Sequence, residues 1–149
     1  MVQRFIYPPV WLLFGLIAVF SCSEFYPGPR FTSLAAQLVG SAIIVVGLLF
    51  LISAKGLFTR AGTDVIPFRE VKTLVTSGVY RYSRNPMYLG MVLVLLGCAV
   101  TVGASTALLV PPLFMIIIEF RFIRPEEAML HERFPEAYAA YCARVRRWL

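Results

Sequence analysis

The chain has 149 residues, 59% of them hydrophobic and 15% charged, with a formal net charge of +6 and a mean hydropathy of +0.77. It is too apolar for an ordinary soluble domain, and at this length one membrane-embedded unit is expected, spanning residues 1–149, with no separate soluble domain. The positive balance does not point to nucleic acid as a partner, because the basic residues flank apolar runs, which is the pattern of membrane orientation.

Phe5 to Ser23 contains no charge across 19 residues, close to the minimum for crossing a bilayer core. A cleaved signal peptide competes with this reading: Arg4 would be its basic end, and Val19-Phe20-Ser21-Cys22 faintly resembles a lipoprotein cleavage site. Pro8-Pro9 and the bulky Phe20 favour a retained span. Tyr26-Pro27-Gly28-Pro29 is turn chemistry, and Phe31 to Ala54 then gives 24 uncharged residues, a second span. Gly40 and Gly47 permit close helix packing there.

Residues 55–85 are polar and mixed in charge, a linker with one interfacial turn at most. Asn85 to Ile118 is again free of charge for 34 residues. A single helix of that length measures about 51 Å, against a hydrocarbon core of about 30 Å, so it is expected to break. Gly103-Ala104-Ser105 is the natural break, giving spans near 86–102 and 106–123, and Pro111-Pro112 should kink the fourth span or delay its start. Charge supports the hairpin. Four spans place 13 of the 14 Lys and Arg residues on the side of both termini and leave only Arg30 opposite. By the positive-inside rule both termini are then cytoplasmic, and the compactness of the chain suggests a bacterial inner membrane. In the tail, residues 124–149, the positions Phe134, Tyr138, Tyr141, Val145 and Trp148 recur at helical spacing. They predict an amphipathic helix lying at the cytoplasmic interface or packed across the core, and that face taken alone reads as a lipid-binding surface. The expected fold class is therefore all-α: a polytopic bundle of about four transmembrane helices plus a C-terminal amphipathic helix.

Cys22, Cys98 and Cys142 are odd in number and far apart, and His131 is the single histidine. Neither a disulfide frame nor a metal centre follows, and a Ser/His/Asp triad has little to stand on.

Polar chemistry gathers in two places. One runs from Leu74 to Gly90 and contains Gly78-Val79-Tyr80 and Arg84-Asn85-Pro86-Met87-Tyr88-Leu89-Gly90; the other is Arg124-Pro125-Glu126-Glu127. Each has a plain account. Asn85-Pro86 starts a helix, Tyr80, Tyr82 and Tyr88 form an aromatic belt, and Pro125 with two acids makes a good helix start. A hairpin of the third and fourth spans brings the two places to one membrane face.

Gly-x-Tyr, then Arg-x-Pro-x-Tyr-x-Gly, then a Glu-Glu pair after the next apolar run, resembles the isoprenylcysteine carboxyl methyltransferase and phospholipid N-methyltransferase group. The resemblance covers roughly Arg60 to Leu149. One departure is Asn85, where many members carry His; Asn keeps a donor and an acceptor but does not titrate near neutral pH, so a binding role survives and a general-base role does not. The resemblance implies an S-adenosylmethionine-dependent methyltransferase and a cofactor pocket lined by Lys72, Thr73, Leu74, Val75, Tyr80, Asn85, Pro86, Met87 and Tyr88. Each charge of that cofactor needs a partner near a membrane. Glu126 or Glu127 is expected to accept from its ammonium or ribose hydroxyls, and Arg84 or Arg124 to pair with its carboxylate. Arg84, Glu127 and Arg124 are the candidate catalytic residues, and no metal is called for.

The acceptor implied is a lipophilic small molecule or lipid. A carboxylate acceptor needs no general base, whereas an amine must lose a proton and no titrating base is in view; this favours a carboxylate. Nothing in the sequence specifies an oligomeric state. Three alternatives stay open, one of them a structural or assembly protein. Membrane sterol reductases share a similar C-terminal half but bind NADPH and are larger. A small four-helix transporter needs an ionisable residue deep in a span, and Glu119, near a boundary, is the one candidate.

Overall fold

The computed structural model of the chain describes residues 7–60, 62 and 73–149. Among these residues six α-helices carry the fold: α1 Pro8–Phe25, α2 Leu34–Arg60, α3 Pro86–Val102, α4 Val110–Ile118, α5 Arg124–Arg133 and α6 Pro135–Arg144. Among the described residues the β-structure is one isolated antiparallel bridge, Arg30 with Ala104. The protein is an all-α membrane bundle. Among the described residues, three helical stretches are long and apolar enough to cross a membrane: α1, α2, and the continuous run from Ser105 to Arg133. α3 is equally apolar and, at 17 residues, about 26 Å long.

Local chemistry sets most of the ends. Pro8 and Pro86 occupy the first turns of α1 and α3, where a missing N–H costs nothing. α3 stops at Gly103, whose φ of 65° is the left-handed conformation that favours glycine, and its N–H returns to the Ala99 carbonyl. A 3-10 turn, Ser105–Leu109, follows, and the α-geometry of α4 begins only at Val110, with Pro111-Pro112 in its first turn. α2 runs on through Lys55 to Arg60, six residues beyond the uncharged run that predicts it. A helix needs hydrocarbon only over its middle, and basic residues near its end extend into the interface.

α3 is the central helix. It packs parallel to α1, with Leu95 seated on Gly15, and antiparallel to α2 through two glycine pairs, Gly40 with Gly97 and Gly47 with Gly90. A Cβ built on Gly90 would lie 2.8 Å from the Gly47 carbonyl oxygen, and one built on Gly97 2.6 Å from that of Gly40. Only glycine admits backbones this close. One core joins Val19, Tyr88, Leu95, Phe114, Ile118 and Ile123 across α1, α3, α4 and the turn that follows α4. Outward residues such as Leu13, Phe14, Leu38, Val45, Ile52 and Leu113 are apolar and exposed. A soluble surface would not carry so much contiguous hydrocarbon; here it is the lipid-facing side.

The tail departs from the single amphipathic helix its periodicity predicts. Phe134 lies at φ −132°, ψ 59°, between α5 and α6, and Val145 is extended. Pro135 favours the break, because its ring disfavours the α-conformation in the residue before it, although Val110 and Arg124 keep α-geometry before Pro111 and Pro125. Of the two placements expected for the apolar face, the packed one is found. Tyr138, Tyr141 and Val145 are buried against Tyr80 and Ala54 in a second core, with Leu57, Phe58, Leu74 and Val75 around them. α6 is therefore a cover on the end of the bundle.

Candidate active site

The site lies at the end of the bundle where α3 begins and α4 gives way to α5. A 3-10 turn, Gly78–Arg81, leads into it. Gly78 has φ 60°, and a Cβ there would meet the Leu57 side chain at 2.7 Å, so the turn rests on the last turns of α2. Phe58 meets Tyr80 edge-on, with centroids 5.4 Å apart. The Tyr141 hydroxyl donates to the Tyr80 carbonyl at 2.6 Å, which ties α6 to the turn. Burial holds the Tyr80 and Tyr141 phenols above their ordinary range, so both are neutral donors near pH 7. Tyr141→Phe is expected to lower stability by about 0.5–1.5 kcal/mol, the net worth of one neutral hydrogen bond. Thermal unfolding in detergent beside the parent checks it.

At the other edge, residues Glu119–Ile123 form a π-turn in which the Arg124 N–H reaches back to the Glu119 carbonyl. Pro125 follows at once. Its ring needs room at the Arg121 carbonyl, and a widened turn provides it. Such turns are frequent at functional sites.

Between these edges stands a network of charges. Arg84 Nη2 lies 3.2 Å from Glu127 Oε1, and both side chains are largely buried, 14% and 13% exposed. Arg147 donates to Glu127 Oε2 from Nε at 3.0 Å and from Nη2 at 2.7 Å. Its Nη1 reaches Glu119 Oε1 at 2.9 Å. These hydrogen bonds, from Glu127 first, hold the Arg147 guanidinium above even its usual range. Glu119 also accepts from Arg124 at 3.0 Å and from the Trp148 indole at 3.2 Å. The Tyr88 hydroxyl donates to Glu126 Oε1 at 2.7 Å. The main chain follows the same course: the Arg84 N–H donates to the Arg146 carbonyl at 3.0 Å, and Asn85 Nδ2 and Ser83 Oγ donate to the Arg147 carbonyl at 3.1 and 3.3 Å.

The residues singled out by sequence fall into three groups. Arg84, Asn85, Pro86, Tyr88, Glu126 and Glu127 come together here, and Met87 packs against both cores. Leu74, Val75 and Tyr80 form the adjoining apolar wall, while Thr73 is exposed. Arg124 stands apart: it is half exposed, lies 4.0 Å over the Phe120 ring and pairs with Glu119, not with Glu127. Lys72 lies outside the described residues. The aromatic belt does not form as one unit, since Tyr80 and Tyr88 are buried and Tyr82 is 69% exposed. Glu119, the candidate for a transporter, is spent on two arginines and an indole at the bundle's end. Sequence reasoning did not place Ser83, Arg147 or Trp148 in the site: Ser83 lies unmarked within the first polar stretch, Arg147 is one of several tail arginines, and Trp148 is read only as part of the tail's apolar face.

A membrane helical bundle with most of its charged side chains gathered at one end, beside an apolar wall, is a frame that can hold a polar group at the lipid boundary. Residues 35–137, more than two thirds of the chain, match the family model described as phospholipid methyltransferase, and the chain belongs to that family. An uncharacterized protein of Haemophilus influenzae is 38% identical over 63 residues, which is all of that protein and 42% of this chain. Family membership makes the chain a membrane methyltransferase of the phospholipid and isoprenylcysteine type.

Proposed function

We propose that the chain transfers a methyl group from S-adenosylmethionine to a lipophilic acceptor, a lipid head group or an isoprenylcysteine-like carboxylate, at the end of the bundle where α3 and α5 meet. One observation carries this reading. Three side-chain polar atoms are buried without a hydrogen-bond partner among the described residues: Trp11 Nε1, Arg84 Nε and Glu127 Oε1. Two of the three belong to one ion pair. Buried donors and acceptors are normally satisfied; Glu127 Oε1 faces Arg84 Nη2 at 3.2 Å without a hydrogen bond and Arg84 Nε has none, so the pair keeps donor and acceptor capacity that fits a ligand with both an anionic and a cationic group. The amino-acid portion of the cofactor has that character.

Arg84 would bind the carboxylate, and Glu127, with Glu126 beside it, the ammonium or the ribose hydroxyls. Leu74, Val75 and Tyr80 supply an apolar wall suited to the adenine, and Asn85, anchored by the Arg147 carbonyl, fixes the start of α3. The bound cofactor supplies an electrophilic methyl group on a sulfonium centre. The chain's own part is alignment and exclusion of water, because displacement at carbon needs its partners in line. Met87 and Phe122, packed around Tyr88, are placed to keep that space dry. The acceptor enters from the bilayer.

Purified protein in detergent is expected to bind S-adenosylhomocysteine with micromolar-range affinity, roughly −8 kcal/mol, and to show no response to NADPH. Calorimetry measures both. Heat with NADPH and none with S-adenosylhomocysteine would transfer the assignment to a reductase.

A further inference from the structure

We propose that Arg147 is a positioning residue for the cofactor site, acting through Glu127 and through the extended end of the chain. The inference rests on the cofactor reading above, while the clamp it describes is geometric. The Arg147 guanidinium divides between two carboxylates. Nε and Nη2 both take Glu127 Oε2, and Nη1 takes Glu119 Oε1. Glu127 Oε1 is thereby left without a hydrogen bond, near Arg84. A carboxylate gripped by one oxygen presents the other in a fixed direction, which is what a preorganised ligand contact requires.

The main chain of the same residue does a second job. Its carbonyl accepts from Ser83 Oγ and Asn85 Nδ2, and the preceding carbonyl accepts from the Arg84 N–H. One residue thus joins the two halves of the site: its side chain holds the α5 acid and its backbone holds the start of α3. Glu119 braces the arrangement through the Arg147 guanidinium and the Trp148 indole. A lysine cannot replace it, because an ammonium is a single point of charge and does not span two carboxylates with a rigid fork.

A plain staple for the chain end would affect stability alone, and that difference separates the two roles. The full chain in lipid nanodiscs, with Arg147→Ala, Arg147→Lys and Glu119→Gln, is measured three ways: melting temperature, amide exchange over residues 83–88 without ligand, and S-adenosylhomocysteine affinity. Arg147→Lys should melt close to the parent yet lose affinity by about tenfold or more. Arg147→Ala should lose at least as much and speed exchange of the Arg84 amide, and Glu119→Gln should lose affinity by a smaller factor. Parent-like affinity in Arg147→Lys or Arg147→Ala overturns the inference. A parent that binds no S-adenosylhomocysteine refutes the cofactor reading, and the exchange measurement then decides the clamp: unchanged exchange in Arg147→Ala refutes it too.

Discussion

Glu127→Gln is expected to lower the unfolding free energy by about 3–5 kcal/mol, the cost of opening a buried ion pair from one side. The substitution keeps size and shape and removes one charge. Arg84, 14% exposed, then has lost its carboxylate partner, while Arg147 retains Glu119. An acid serving only as a helix start is worth about 0.3–1 kcal/mol, so the size of the loss distinguishes the two roles. Affinity for S-adenosylhomocysteine should fall about tenfold to over a hundredfold, as for a lost charge-assisted bond. Glu126→Gln should be milder, because the Tyr88 hydroxyl can still donate to the amide oxygen. The double change Arg84→Met with Glu127→Leu removes both charges and should recover most of the stability, without recovering binding. Equilibrium unfolding in mixed micelles and calorimetry on the same samples supply both numbers. If Glu127→Gln unfolds and binds like the parent, the acid is a helix start and nothing more.

Gly90→Ala is expected to destabilise by about 3 kcal/mol, the upper end of the usual range for overpacking. The new Cβ would stand 2.8 Å from the Gly47 carbonyl oxygen and 3.1 Å from the Leu51 nitrogen. Both are backbone atoms, which cannot swing aside as the end of a side chain does. The helices must separate, and the start of α3 moves with them. Because Gly90 lies one turn after Pro86, the Tyr88 contact with Glu126 should loosen and cofactor affinity fall in parallel. Gly56→Ala is the internal control. It lies in α2 with nothing within 4 Å of the added carbon, so it should raise stability by about 0.5–1 kcal/mol through chain entropy. Opposite signs for one chemical change at two helical glycines test the seam directly; equal effects would mean that the close approach is not what holds α2 to α3.

Much of this molecule is legible locally. The absence of charge over long runs marks the apolar helices, because a charge in hydrocarbon is costly whatever the tertiary structure. Gly103 and the Pro111-Pro112 pair interrupt the longest run by conformational restriction alone, so the hairpin could be read without coordinates. The break in the tail was equally local. Pro135 stands in plain view, yet the apolar period across Phe134, Tyr138 and Tyr141 outweighed it, although a proline constrains its predecessor more strongly than a periodicity constrains a backbone. The matched seven-residue spacing of Gly40 with Gly47 and Gly90 with Gly97 was also visible, but nothing in a linear pattern says which glycine meets which.

The sequence by itself determined the all-α membrane class and marked the two polar stretches that the fold brings together, since hydropathy, helix breakers and motif residues act over a few positions. Only the tertiary structure decided how the charges are shared. Glu127 faces Arg84 from 43 residues away and Arg147 from 20, Glu119 draws Arg124 outward, and the chain end crosses the start of α3. Any of the basic residues near the bundle's end has the right charge to pair with those acids. Which one does so depends on distances of a few ångströms that helix packing sets, because partners are chosen by proximity and desolvation and not by residue type.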